Sequence, residues 1–276
     1  MYNVGLLYTV LSLLLLEIVM SSLKIRPIKA FEDNYIWCLT NGETCVVVDP
    51  GDAKPVLKYC KRNNLMLTDI LITHHHSDHT GGVNDLVDAF AGINVYGPQN
   101  SAIQSITRRV SDGDKIELGG LGLEFAIIEV PGHTLDHIAY VGSCGLFCGD
   151  TLFSAGCGRL FEGTPSQMYE SLNRLMSLPD DTKVYCTHEY TLANVKFARA
   201  VEPNNAALLN YKGWAESQRV DLKPTLPSTI SEQKAINPFL RANSAEVKHQ
   251  AEHYAGKILP TPEAVFASIR AWKDNF

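Results

Sequence analysis

The chain opens on an unbroken apolar run and then settles into short alternating segments. Residues 1–20 (MYNVGLLYTVLSLLLLEIVM) hold 15 hydrophobic residues and a single charge, Glu17. From residue 23 the apolar positions form short β-like runs between polar turns: LKIRPI (23–28), YIWCLT (35–40) and TCVVVD (44–49). Residues 53–63 have helical spacing, and DILITH (69–74) reads as a buried strand that ends in polar groups. A second β series follows at 93–97, 115–119, 123–130, 137–142 and 145–150. Thr164-Pro165-Ser166-Gln167 predicts a helix start, with Thr as N-cap, Pro in the first position and Gln in the third. KVYCTH (183–188) is another strand with a polar end. Beyond it the period changes: 189–222, 243–256 and 262–274 read as helical, and the Pro-punctuated stretch 223–238 as irregular. The pattern predicts a β-rich sandwich with covering helices over 23–188, followed by a smaller helical domain over 189–276.

The first 22 residues are expected to stand apart from that fold. About 20 apolar residues could span a bilayer. Yet no Lys or Arg precedes the run and no small-residue cleavage site follows it, which makes a poor secretory signal and an ambiguous anchor. Met20 then opens an ordinary soluble sequence. Over all 276 residues, 24 Lys and Arg stand against 30 Asp and Glu, a net charge of −6. That balance argues against nucleic-acid binding but leaves room for an anionic small substrate held by local cations. The seven cysteines form no C-x-x-C pair, and most sit in apolar runs, as expected of reduced thiols in a cytoplasmic protein.

Candidate chemistry concentrates at the strand ends. Four of the nine histidines lie in Thr73-His74-His75-His76-Ser77-Asp78-His79, directly after an apolar strand. In an extended turn His74 and His76 point the same way, His75 points away, and Asp78 and His79 begin the next helix. Imidazole nitrogens and a carboxylate so close together make a ligand set for Zn²⁺ or a similar borderline ion. Three further strand ends repeat the habit: Pro131-Gly132-His133-Thr134, Gly149-Asp150-Thr151 and Thr187-His188-Glu189. In the last helix Val265, Phe266, Ile269 and Trp272 form an apolar stripe, while Arg270 and Lys273 share another edge.

These residues resemble the metallo-β-lactamase superfamily, and within it the glyoxalase II (hydroxyacylglutathione hydrolase) family. The resemblance covers about 24–276 and rests on THHHSDHTGG (73–82), PGHT (131–134), GDTLFSAGCGRLFEGT (149–164), THEYT (187–191), NPFLR (237–241) and RAWKDNF (270–276). It implies an α+β protein, a four-layer αββα sandwich with a C-terminal α-helical, glutathione-binding domain. It implies two divalent ions per chain, zinc foremost with iron or manganese as alternatives. One would be held by His74, His76 and His133, the other by Asp78, His79 and His188, with Asp150 bridging. Asp78 and Asp150 would also be catalytic. The implied reaction is hydrolysis of S-(R)-lactoylglutathione to glutathione and D-lactate by a hydroxide held at that centre, the second step of methylglyoxal detoxification. Arg159, Tyr190, Arg270 and Lys273 would contact the substrate, and Phe161 takes the place of a tyrosine found in some relatives. The implied partner is this small thioester, with no nucleic acid or protein, and the chain is expected to be a monomer. A persulfide dioxygenase, a lactonase or a non-catalytic membrane-associated metal-binding protein are the alternatives.

Overall fold

The computed structural model describes residues 23–276; the apolar lead, residues 1–22, and the expectation attached to it lie outside the described residues. Six strands form the first sheet in chain order: β1 (Lys24–Ala30), β2 (Asn34–Thr40), β3 (Thr44–Val48), β4 (Met66–Leu71), β5 (Asn94–Pro98) and β6 (Arg108–Val110). The alternation along β2 and β3 shows why this sheet lies inside the molecule. Tyr35, Trp37, Leu39, Val46 and Val48 face one apolar core, while Ile36, Cys38, Cys45 and Val47 face another. The side-chain period of a strand is two, so a run that is apolar at every position must be covered on both sides. The outer cover is α1 (Ala53–Asn63), with α2 (Ser77–Thr80) and α3 (Val83–Ala89) following β4.

The second sheet is built from β7 (Lys115–Leu118), β8 (Leu123–Glu129), β9 (Ile138–Gly142), β10 (Gly145–Gly149), β13 (Lys183–Cys186) and β14 (Ser228–Thr229), with β11 (Leu152–Phe153) and β12 (Gly156–Cys157) as a small ribbon beside it. Phe125, Tyr140 and Phe147 are fully buried in the core it shares with the first sheet. Each such side chain contributes about 1.5–3 kcal/mol. That core continues into α4 (Pro165–Met176) and into the C-terminal helices through Phe239, Val247, Phe266 and Ile269. The start of α4 carries both halves of the expected capping box, Thr164 with Gln167.

Two stretches depart from the sequence pattern. The helical run 189–222 divides into α5 (Thr191–Val201) and α6 (Ala206–Val220), because Pro203 cannot continue a helix and Asn205 caps the next one through Leu208 N–H. The stretch read as irregular, 223–238, contains β14 and α7 (Ile230–Ile236), the latter opened by a second capping box of Thr229 and Glu232. The last two helices, α8 (Ala245–Ala255) and α9 (Pro262–Asp274), fall where the periodicity puts them. No helix among the described residues is long and apolar enough to cross a membrane.

Candidate metal centre

The topology gathers the polar strand ends on one rim. β3 and β4 run parallel in the first sheet, β10 and β13 in the second, so their C-terminal ends point the same way. The sheets are joined there: Tyr35 N–H donates to Thr187 O at 2.7 Å, and Asn34 bridges to His188. Backbone crowding at this rim requires glycine. Gly149 has φ +48°, and a Cβ there would lie 2.3 Å from Thr73 Oγ1; a Cβ on Gly158 would lie 2.0 Å from Asp150 O.

Five imidazoles and two carboxylates converge above the rim. Ligand-type atoms of His74, His76 and His133 lie within 4.8 Å of one another, as do those of Asp78, His79 and His188, and those of His74, His79 and Asp150. Asp150 reaches both triads. Its Oδ1 is 3.4 Å from His79 Nε2, while Oδ2 is 3.5 Å from His133 Nε2 and 3.4 Å from His188 Nε2. The opposite nitrogens of three rings are already engaged, and that of a fourth, His79, faces a carboxylate. Thr73 Oγ1 lies 3.0 Å from His74 Nδ1, Arg159 O lies 2.7 Å from His133 Nδ1, and Asp33 Oδ1 is 2.8 Å from His188 Nδ1. Asp49 Oδ2 stands 3.0 Å from His79 Nδ1, and the same carboxylate accepts both Thr73 N–H and Thr73 O–H at 2.8 Å. Partners of this kind fix ring orientation and tautomer in metal sites.

Burial lowers the pKa of His74, His76 and His133, which leaves these rings neutral at pH 7 with lone pairs available. Burial also opposes charge on His79 and His188. There, however, Asp150 raises both, with Asp49 beside His79 and with Asp78 and Asp33 beside His188, to about 10 and about 11. The Asp78 carboxyl is held low by the hydrogen bond from His188. Burial works to raise Asp150, but the charges of His79 and His188 outweigh it and hold the carboxyl well below its usual range. Protons on these rings occupy the role that cations would take, and metal binding would release them. Both ring nitrogens of His79 and Asp150 Oδ1 are buried with no hydrogen-bond partner, a costly state for the inward-facing Nε2 and Oδ1 unless something else fills their coordination. The donor set therefore fits two borderline divalent ions.

A cavity of about 380 Å³ lies over the centre, lined by His76, Asp78, His133, Asp150, Phe153, Arg159, Phe161, His188 and Tyr190. Tyr190 stacks on His188 at 4.6 Å, and Phe161 meets His76 and His133 edge-on at 5.5 and 5.3 Å. Arg159 is mostly exposed and stands 3.8 Å from Asp274. The two cations of α9 do not line this cavity. Arg270 is 5% exposed and donates to Cys157 O and Asp274 Oδ1, each at 3.0 Å. Lys273 is half-buried, bonded to Asn194 Oδ1 and set over the rings of Phe197 and Phe239. Burial and the neighbouring charge of Arg270 lower its pKa to about 8.

Supporting residues surround the centre, and three of them, Asp33, Asp49 and Asn34, escape sequence reasoning. Asp33, Asp49 and Asn34, which donates to Asp78 Oδ2 at 3.2 Å, are single polar residues at turns and carry no motif by themselves. His137 lies flat against His74 at 4.5 Å and accepts Asp150 N–H at 3.1 Å; burial lowers its pKa to about 3, as a neutral acceptor requires. Glu189 is buried beside His188 and accepts from Tyr35 O–H at 2.8 Å and Thr225 N–H at 2.9 Å.

A two-sheet sandwich with this ligand rim defines a member of the metallo-β-lactamase superfamily, and the model of that superfamily matches residues 31–188. Residues 189–276 match the hydroxyacylglutathione hydrolase C-terminus. The hydroxyacylglutathione hydrolase of Vibrio campbellii is 52% identical over 255 residues, covering 92% of this chain and all of the relative. That of Nitrosomonas eutropha is 50% identical over 250 residues, covering 91% and 98%. The chain belongs to the hydroxyacylglutathione hydrolase family. Among solved structures it is similar to ETHE1 from Myxococcus xanthus (26% identity, TM-score 0.61, covering 91% of this chain and 98% of the other). It is also similar to TTHA1623 in a di-iron-bound form (25% identity, TM-score 0.55, covering 78% and 100%).

Proposed function

We propose that the protein hydrolyses S-(R)-lactoylglutathione to glutathione and D-lactate, the second step of methylglyoxal detoxification. The reading is carried by seven converging donors, His74, His76, His133, Asp78, His79, His188 and Asp150, beneath a cavity that an acyl thioester could enter. His74, His76 and His133 form one ion site, Asp78, His79 and His188 the other, and Asp150 is shared. Two divalent ions there, zinc foremost, would lower the pKa of a bound water toward about 7 and polarise the thioester carbonyl. The di-iron form of TTHA1623 supports a two-ion centre in this fold without deciding the metal.

The chain's own residues do the rest. Asp78, kept anionic by His188 and Asn34, accepts a hydrogen bond from the attacking water and aims it at the carbonyl carbon. Asp150, anionic and immobile, keeps the two halves of the centre in register. Phe153 and Phe161 give the cavity its apolar wall. Attack breaks the C–S bond as the tetrahedral adduct collapses, and a thiolate is a good enough leaving group to need no strong acid. Arg159 and Tyr190 contact the glutathione half inside the cavity, and Lys273 meets one of its carboxylates outside it, with cations matched to carboxylates. Arg270 props the loop from Cys157 to Arg159 under that half. The reading is tested by thioesterase assay across acyl-glutathiones, paired with elemental analysis of the same sample. Activity on S-lactoylglutathione with about two ions per chain is expected; a fully loaded protein with no thioesterase activity would overturn it.

A further inference from the structure

His75 sits between two metal-ligand candidates, yet its ring turns away from the centre. Its Nδ1 lies 2.9 Å from Asp136 Oδ1 and its Nε2 lies 3.4 Å from Glu162 Oε1. Asp136 is nearly buried and also accepts the Thr134 hydroxyl at 2.8 Å; Glu162 also accepts Leu135 N–H at 2.8 Å. One side-chain cluster thus ties together three loops: the one carrying His74 and His76, the one carrying His133, and the one carrying Arg159 and Phe161. Three of the four other imidazoles have a hydrogen-bond partner on the nitrogen opposite the ligand atom, and the Asp49 carboxylate stands 3.0 Å from that nitrogen of His79. His76 differs. Its Nδ1 faces His74 and His133 at 3.1 Å, and no group among the described residues bonds its Nε2.

We propose that His75, Asp136 and Glu162 form a positioning brace for His76, holding through the backbone the orientation that polar groups directly against the ring give to the other four. The brace rests on the two-ion reading above and belongs to one half of the centre. Removing it loosens the His74–His76–His133 site and leaves the Asp78–His79–His188 site intact. The scale is set by lost supporting partners of metal-binding histidines, about 10- to 100-fold in affinity.

The test is titration of the metal-free full-length protein with Co²⁺ against a competing chelator, following the visible spectrum of each ion bound. Asp136→Ala and Glu162→Ala should each weaken one of two binding constants by about 10- to 100-fold. Asp136→Asn, which keeps an acceptor oxygen for His75, should recover most of that loss. Asp33→Ala should weaken the other constant, through His188. Both constants staying within about twofold in Asp136→Ala, or both falling equally, overturns the brace. A wild-type protein that binds a single ion overturns the two-ion reading instead, and the two failures are told apart by the wild-type curve alone.

Discussion

The strand rim and the C-terminal end of α9 both gather charged side chains, and they are built in opposite ways. At the rim, three imidazoles spend their outer nitrogens on Thr73, Arg159 O and Asp33, His79 faces Asp49 with its own, and the atoms that face inward, such as His79 Nε2 and Asp150 Oδ1, are left without partners. At the end of α9, Arg270 turns its donors to Cys157 O and Asp274 and lays its guanidinium over Phe239 at 5.2 Å. Arg270 meets protein acceptors with both terminal nitrogens and leaves only Nε unbonded, as a structural charge does; at the rim a ring nitrogen and a carboxylate oxygen are buried unbonded side by side, which marks a ligand site.

The largest break in this comparison comes from Asp150, which reaches both triads. Asp150→Ala should lower thioesterase activity by about 10²- to 10³-fold, with elemental analysis showing metal lost from both halves. Arg270→Ala should instead cost about 2–4 kcal/mol of stability, because it leaves the buried Cys157 O without its donor and removes the packing of the guanidinium on Phe239. Urea denaturation measures that loss, and metal content should stay at the wild-type level. Lys is no substitute there, since it lacks the forked geometry that spans both acceptors. Lys273→Ala should raise KM for glutathione thioesters about tenfold with kcat and metal retained. Exposed Arg159, replaced by Ala, should raise KM only about 2- to 5-fold. Steady-state kinetics on one acyl-glutathione ranks the two.

The smallest effect is a pH dependence. The folded Lys273 pKa of about 8 lies below the ordinary value of 10.5, since burial and Arg270 disfavour its charge. Below pH 8 the ammonium is charged and available to a carboxylate. As pH rises through about 8 it loses its proton, so KM should climb while kcat holds. The stability sign is opposite: between about 8 and 10.5 the unfolded chain binds the extra proton, so this group's penalty is relieved as pH rises. A KM that stays flat from pH 7 to 9.5 would remove Lys273 from the substrate contacts.

The candidate ligands were legible because each follows an apolar strand at its end, where polar residues have no structural reason to appear so abruptly. Most strands and the capping box at Thr164 were legible for the same kind of local reason. What was hidden depends on tertiary partners. Asp33 and Asp49 are ordinary turn residues until the chain brings His188 and His79 against them. Arg270 and Lys273 read alike along the helix, and only packing against Cys157 and Asn194 gives them different surroundings. Helix α7 did announce itself, through Thr229 and Glu232 at capping-box spacing, but the prolines around it masked the signal. β6 and the ribbon of β11 and β12 are too short for any periodicity to show.

The central claim is that two ion sites sharing Asp150 drive attack on a glutathione thioester. Its most direct test is to strip the protein of metal with a chelator and restore zinc stepwise while following hydrolysis of S-lactoylglutathione. Activity should vanish in the stripped protein and return to a plateau at two equivalents per chain. Full activity without metal, or none at two equivalents in a folded protein, would contradict it.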